Sequence, residues 1–165
     1  MRKTIASAAA LALLGASAAY LPSVTADSHS APQSMQLMIE IPSPLGFQET
    51  LDKIRNNALA EGWKVPKKWK VNFQANLKKV TGRDIGKNEV LKMCEPEVAA
   101  DLLVHDHLKH LSAMMPCTIA VFEKSDGKTY VSMMNMEMLG QMYGEVVNEA
   151  ITKIAPQMEA MLSFD

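Results

Sequence analysis

The sequence is poor in aromatic residues and cysteine, and it lacks several motifs on which whole classes of protein depend. Phe, Trp and Tyr make up 5% of its 165 residues, and only two cysteines are present. It has no Cys-x-x-Cys pair, no haem-attachment motif, no glycine-rich phosphate loop and no Gly-x-Ser-x-Gly elbow. These absences argue against covalent haem c, dithiol oxidoreductases, nucleotide-binding enzymes and serine hydrolases. We therefore expect a non-enzymatic protein.

An excess of charge of either sign is also missing. The chain has 17 Lys and Arg against 18 Asp and Glu, and removing residues 1–26 would leave 15 against 18, a net charge of −3. This balance argues against nucleic acid or anionic lipid as the main partner. No later stretch is apolar and long enough to span a bilayer, so we expect a soluble protein without a membrane span.

The N-terminus has the pattern of an export signal. Arg2 and Lys3 precede a short apolar run at 5–14, and the small residues of Val24-Thr25-Ala26 suit a signal peptidase. A second cleavage pattern is Ala16-Ser17-Ala18. We predict cleavage after Ala26, a flexible leader over 27–34 and a single domain over 35–165, located in the periplasm or secreted.

Apolar periodicity predicts strands that alternate with helices. The expected strands cover 35–41, 89–94, 118–122 and 129–133, with a short one at 63–65. The expected helices cover 49–61, 72–80, 96 to about 105, and 144–162 with a kink or break at Pro156. Asp126-Gly127 predicts a hairpin between the last two strands. We predict an α/β (α+β) two-layer sandwich with a mixed sheet of four to five strands, helices on one face, and a C-terminal hairpin followed by a helix.

Four features together resemble the domain of unknown function 302 family. They are the helix 51–62 with its Gly-aromatic end, the strand 90–96 with Cys94 and Pro96, the Met115-Pro116-Cys117 turn and the Asp126-Gly127 hairpin. The resemblance covers 35–162 and implies a compact α/β domain, often in exported bacterial proteins, with no activity established for the family. It transfers no catalytic residue, and the histidine and methionine clusters belong to this chain rather than to the resemblance.

The two cysteines admit alternatives that depend on strand topology. Cys94 ends one predicted strand and Cys117 begins another, and an even pair in an oxidising compartment is commonly a disulfide. A crossover between parallel strands would hold the two residues at opposite edges of the sheet, whereas an antiparallel arrangement would bring them together. The third alternative is a pair of inert buried thiols.

Three histidines lie within the segment 104–110. In a helix His107 and His110 share a face, and in an extended chain His105 and His107 do. Either pair could bind Zn, Cu or haem iron, with Asp106 orienting one imidazole. The alternative is a solvated helix end, where histidine is favourable near the C-terminal dipole.

Methionine is abundant, with 13 in the chain. Thioethers are soft ligands for Cu(I), although core packing is their commoner role. Met134 and Met136, at a strand end, are the better ligand candidates. Met138 and Met142, four residues apart, are expected to pack.

The leading hypothesis is a periplasmic domain that binds a small ligand or a metal centre, with copper or noncovalent haem as the occupant. Cleavage after Ala26 would place His29 third in the mature chain, where amine, amide and imidazole nitrogens form a square-planar Cu(II) site. The metal-ligand candidates are His107, His110, Met115, Cys117, Met134, Met136 and His29. The first rival is a protein-interaction or homodimerisation module with an adaptable methionine surface. The second is a thiol-redox role for Cys94 and Cys117.

Overall fold

The computed structural model describes residues 36–164, so the predicted signal and the predicted leader, which includes His29, lie outside the described residues. The elements are β1 (Met38–Pro42), α1 (Phe47–Ala60), β2 (Lys70–Asn72), α2 (Phe73–Thr81), β3 (Asn88–Met93), α3 (Pro96–Leu103), β4 (Cys117–Glu123), β5 (Thr129–Met134), α4 (Met136–Tyr143) and α5 (Glu145–Met161). Two 3₁₀ helices cover Lys67–Trp69 and Asp106–Met114. None of the helices within 36–164 combines the length and apolarity that crossing a bilayer requires.

The five strands form one sheet in the order β1-β5-β4-β3-β2. The predicted sandwich class is confirmed, but every pairing between these strands is antiparallel, so the sheet is not mixed. The reason is the connection after β3: α3 and the second 3₁₀ helix return the chain beside β3 instead of crossing over the sheet. The predicted hairpin is also confirmed, with Gly127 at a φ of 76°, in the left-handed region that glycine adopts without strain.

The helices α1 and α5 pack on one face of the sheet. Alternation along β1, β3, β4 and β5 places their odd-numbered residues on that face, and the largest core cluster joins them to both helices. Its sheet members are Leu91, Met93, Ile119, Val121, Val131 and Met133, and its helix members include Leu51, Ile54 and Ala58 of α1 and Ile154 and Met161 of α5. A second cluster joins α3, α4, α5 and the 3₁₀ helix Asp106–Met114 through Leu102, Leu108, Leu111, Leu139, Val147, Ala150 and Ile151.

Asn72 joins β2, β3 and α2. Its Oδ1 accepts a hydrogen bond from the Ala75 N–H at 2.8 Å and caps α2. Its Nδ2 donates to Glu89 Oε2 at 3.1 Å, and Glu89, only 4% exposed, also pairs with Lys70 Nζ at 2.6 Å. The buried carboxylate is therefore compensated, and α2 is held at the β2 edge of the sheet.

Several element boundaries differ from the sequence-based expectations. Helix α3 ends at Leu103 rather than at 105, and residues 63–65 contribute only an isolated bridge between Lys64 and Cys94. Helix α4 was not expected from the sequence, although Asn135 caps it by accepting a hydrogen bond from the Met138 N–H at 3.1 Å. Helix α5 continues through Pro156, because core contacts on both sides of the proline hold it helical.

Candidate functional site

A pocket of about 350 Å³ lies where the two core clusters meet. Strands β3, β4 and β5 and helices α3, α4 and α5 all contribute to its walls. Apart from the sulfur-containing residues its lining is mostly aliphatic, with Lys92, Glu95 and Thr118 among the few polar members. The volume falls within the range of small-molecule sites, roughly 300 to 1,000 Å³.

Sulfur is the distinctive feature of this lining. Both cysteines and nine of the thirteen methionines contribute to it. The nine are Met38, Met93, Met114, Met115, Met133, Met134, Met136, Met158 and Met161. Three of them, Met93, Met133 and Met161, are buried and belong to the sheet-side core. The other six are not buried.

The antiparallel pairing of β3 with β4 brings the two cysteines together. Met93 is the register partner of Cys117, so Cys94 lies one residue beyond that pair. Both are free thiols in the structure, and the Cys94 Sγ–H donates to the Glu95 carbonyl at 3.6 Å. Of the two topologies considered, the antiparallel one therefore holds. Whether the pair oxidises to a disulfide stays a prediction.

Burial keeps both thiols neutral at ordinary pH. It raises the pKa of Cys117 to about 11, with the nearby Cys94 adding to the effect. Burial also raises the pKa of Cys94, helped by the neighbouring Glu95 charge. The thiolate is the reactive form of cysteine, so both residues are weak nucleophiles unless a bound cation displaces the proton.

We expect the ionisation of Cys117 to make the protein less stable at high pH. Because the folded-state pKa is raised, its contribution to stability is complete below the unfolded-state pKa and is lost as pH rises towards 11. A shift from 9 to about 11 corresponds to a loss of about 3 kcal/mol in the free energy of unfolding. Urea unfolding of wild type and Cys117→Ala at pH 7.5, 9 and 10.5 would measure it.

The difference between the two proteins is the informative quantity, because lysines and tyrosines also titrate at high pH. Wild-type stability should fall relative to Cys117→Ala as pH rises, and iodoacetamide should modify Cys117 only slowly below pH 9. Equal pH profiles for the two proteins would contradict the buried-thiol description.

The histidines lie outside this pocket. His105, His107 and His110 are all exposed on or beside the second 3₁₀ helix. The His105 and His107 rings lie 5.7 Å apart, and His110 lies 5.7 Å from the ring of Tyr143. Within residues 36–164 no three His, Cys, Asp or Glu side chains form a metal-binding group. Metal binding by His107 or His110 stays a prediction.

Of the seven predicted metal ligands, four line the pocket, two lie outside it, and His29 is not among the described residues. Met115, Cys117, Met134 and Met136 line one pocket with Cys94, whereas His107 and His110 do not reach it. Met114 and Met158 also line the pocket, although neither is among the metal-ligand candidates predicted from the sequence. For Met158, the helical spacing from Ile151 and Ile154 indicates that it shares their face of α5. Met142 does not pack as expected, because it is 61% exposed on the outer face of α4.

Comparisons with known proteins identify a family and a fold. The model of the domain of unknown function DUF302 matches residues 39–164. A crystal structure of an uncharacterized conserved DUF302 protein from Bacillus stearothermophilus is similar, with a TM-score of 0.65 and 24% sequence identity over 77% of this chain and 96% of that chain. No curated protein matches the sequence. At this identity the structural likeness supports the fold alone.

Proposed function

This chain belongs to the family of domains of unknown function DUF302, and we propose that it is an exported, non-enzymatic domain that binds a soft metal ion, Cu(I), in its sulfur-lined pocket. The observation that carries the proposal is the gathering of both cysteines and nine of thirteen methionines around one pocket of about 350 Å³. Export, which rests on the N-terminal sequence pattern, is part of the same proposal.

The donor atoms favour copper over the common divalent cations. Thiolate and thioether sulfur are soft ligands that suit Cu(I), whereas Mg²⁺ and Ca²⁺ take oxygen ligands. We assign Cys94 and Cys117 as the thiolate ligands because both line the pocket and the strand register brings their backbones close together. Met115, Met134 and Met136 are the thioether candidates, since all three are partly exposed and line the pocket.

Among these methionines, Met136 has the most central position. It packs against both core clusters, and the pocket lies where those clusters meet. A thioether there can turn towards an ion by rotation about the flexible methionine side chain, without moving the backbone. Met115 lies two residues before Cys117, so one segment of chain would supply two donors.

Proton release should accompany binding. Burial raises the pKa of both cysteine thiols, so each is neutral at pH 7 and must lose its proton to act as a ligand. Cu(I) affinity is therefore expected to increase with pH until the thiols ionise by themselves.

A small apolar molecule, including noncovalent haem, is the second candidate occupant. The volume of about 350 Å³ and the mostly aliphatic lining favour it. Haem iron inside the pocket would take a methionine or cysteine axial ligand, because the histidines are exposed outside it.

We expect anaerobic titration of the reduced protein to give one Cu(I) per chain, in competition with a chromophoric Cu(I) chelator. X-ray absorption at the copper edge should report a shell of sulfur only. A shell containing nitrogen, lost in the His107→Ala/His110→Ala variant, would move the site to the histidines. Failure to take up Cu(I), together with saturable haem binding, would favour the second candidate.

The interaction-module and thiol-redox hypotheses stay predictions, and the same preparation tests them. A native intact mass of protein untouched by reductant gives the subunit count, and a chain two hydrogen atoms lighter than the reduced form would indicate a disulfide. The raised thiol pKa values argue against rapid thiol exchange, because exchange requires a thiolate.

A further inference from the structure

We propose that residues 64–88 form a surface that docks peripherally on an anionic lipid bilayer. These 25 residues carry eight Lys or Arg and one acidic residue, Asp84, whereas the other 140 carry nine basic and seventeen acidic residues. The net charge of the whole chain, −1, does not reveal that its basic residues are concentrated in this segment. The surface is separate from the sulfur-lined pocket, since none of its residues lines that pocket.

All eight basic side chains of this surface are exposed. Three of them pair with carboxylates: Lys70 with Glu89 at 2.6 Å, Lys78 with Asp84 at 2.9 Å and Lys87 with Glu123 at 2.8 Å. The other five, within the part of the chain that is described, form no ion pair; they are Lys64, Lys67, Lys68, Lys79 and Arg83. The surface therefore presents uncompensated positive charge.

Apolar side chains are exposed among these charges. Phe73, Leu77 and Val80 follow the i, i+4, i+7 spacing along α2 and are 41%, 38% and 82% exposed. Ile85, in the following loop, is 47% exposed. Lysines beside an apolar helical stripe are the pattern of a helix that lies in the plane of a membrane surface.

Hydrogen bonds hold the loop after α2 against the helix, so Arg83 and Ile85 stay close to the basic and apolar side chains of α2. Asp84 accepts hydrogen bonds from Gln74 Nε2 and Lys78 Nζ, both at 2.9 Å, and from the Gly86 N–H at 3.0 Å. The first two donors lie on α2 and the third within the loop. Arg83 and Ile85, on either side of Asp84, are therefore held against the helix.

The chemistry of the surface favours lipid over an acidic protein. Seven of its eight basic residues are lysine, and protein interfaces are depleted in lysine and enriched in arginine. Diffuse attraction to anionic headgroups needs only charge near the membrane, with each basic residue strengthening binding about fivefold. Arg55, Lys67 and Lys70 line a pocket of about 290 Å³ together with Asp52, so basic side chains outnumber the one carboxylate among its lining residues.

Sedimentation with vesicles tests the proposal. The purified protein should bind phosphatidylglycerol vesicles but not phosphatidylcholine vesicles, and binding should weaken as salt rises from about 0.1 to 1 M. The Lys67→Glu/Lys68→Glu/Lys79→Glu variant should bind at least about 100-fold more weakly, because three uncompensated charges are reversed. Val80→Ser should lose roughly tenfold by removing exposed apolar surface.

The chain provides matched controls for both changes. Lys109→Glu/Lys128→Glu/Lys153→Glu makes the same change in net charge at exposed lysines outside the surface, and Val104→Ser alters a valine that is 71% exposed elsewhere. Both controls should keep most of the vesicle binding. Equal losses in variants and controls, no binding to anionic vesicles at low salt, or binding only to an acidic polypeptide such as polyglutamate would overturn the proposal.

Discussion

Replacing Cys94 and Cys117 together with serine should weaken Cu(I) binding more than about 100-fold. Removal of an outer partner of a metal ligand typically costs 10- to 100-fold in affinity, and this change removes two direct soft donors. Serine oxygen is a hard donor and does not replace thiolate sulfur for Cu(I). Competition against a Cu(I) chelator under anaerobic conditions measures the loss, and the proton release that accompanies binding should disappear with it.

Conservative methionine changes separate ligation from packing. Met136→Leu keeps a similar apolar volume, so it should cost less than about 1.5 kcal/mol in stability while weakening Cu(I) binding. Met142→Leu is the matched control, because Met142 is 61% exposed and lies outside the pocket. The His107→Ala/His110→Ala variant should bind Cu(I) like wild type. Unchanged Cu(I) affinity in the double cysteine variant would refute the assigned site.

Local signals in the sequence predicted much of the fold. Asn72 and Gly82 mark the two ends of α2 because an amide side chain can cap a helix N-terminus and glycine adopts the left-handed conformation after its end. The Asp126-Gly127 turn likewise fixed the β4–β5 hairpin. In each case the determining interactions lie within a few residues of one another.

The features that could not be predicted from the sequence depend on contacts between residues far apart in the chain. Whether β4 runs parallel or antiparallel to β3 depends on how the chain returns over the 22 residues between Cys94 and Cys117, and apolar periodicity does not indicate strand direction. The proximity of the cysteines therefore became known only from the register. The 3₁₀ helix Asp106–Met114 has no comparable signature, so the sequence left open whether His107 and His110 bind a metal or lie at a solvated helix end, and the structure shows both exposed.

The sulfur-lined pocket illustrates the same limit. Met114 and Met115, Met133 to Met136, and Met158 come from three separate parts of the chain, and only packing of α5 and α4 against the sheet brings them together. The composition shows thirteen methionines but not which of them lie around one pocket. The excess of basic residues in segment 64–88 is present in the sequence, but the net charge of the whole chain does not reveal it. The structure adds that these basic side chains are exposed.

Trp63→Ala should cause the largest loss of stability, about 3 to 5 kcal/mol in the free energy of unfolding. Trp63 is 2% exposed and belongs to the sheet-side core. Its Nε1–H donates to Gln157 Oε1 at 2.8 Å, which joins the end of α1 to α5 across 94 residues of sequence. A loss of this size is a large part of the 5 to 15 kcal/mol typical of a domain. Urea unfolding followed by circular dichroism measures it without relying on tryptophan fluorescence.

Two further variants distinguish the packing of the Trp63 ring from its hydrogen bond as the cause of the lost stability. Trp63→Phe keeps an aromatic ring but leaves the Gln157 side chain without its donor, so it should cost about 1 to 3 kcal/mol. Trp69→Ala removes the other tryptophan from a partly exposed position and should cost less than Trp63→Ala. Because Trp63 also lines the sulfur pocket, Trp63→Ala should weaken Cu(I) binding as well, whereas Trp69→Ala should not. If Trp63→Ala and Trp69→Ala destabilised the protein equally, the packing of Trp63 between the sheet and helices α1 and α5 would not be a main source of stability.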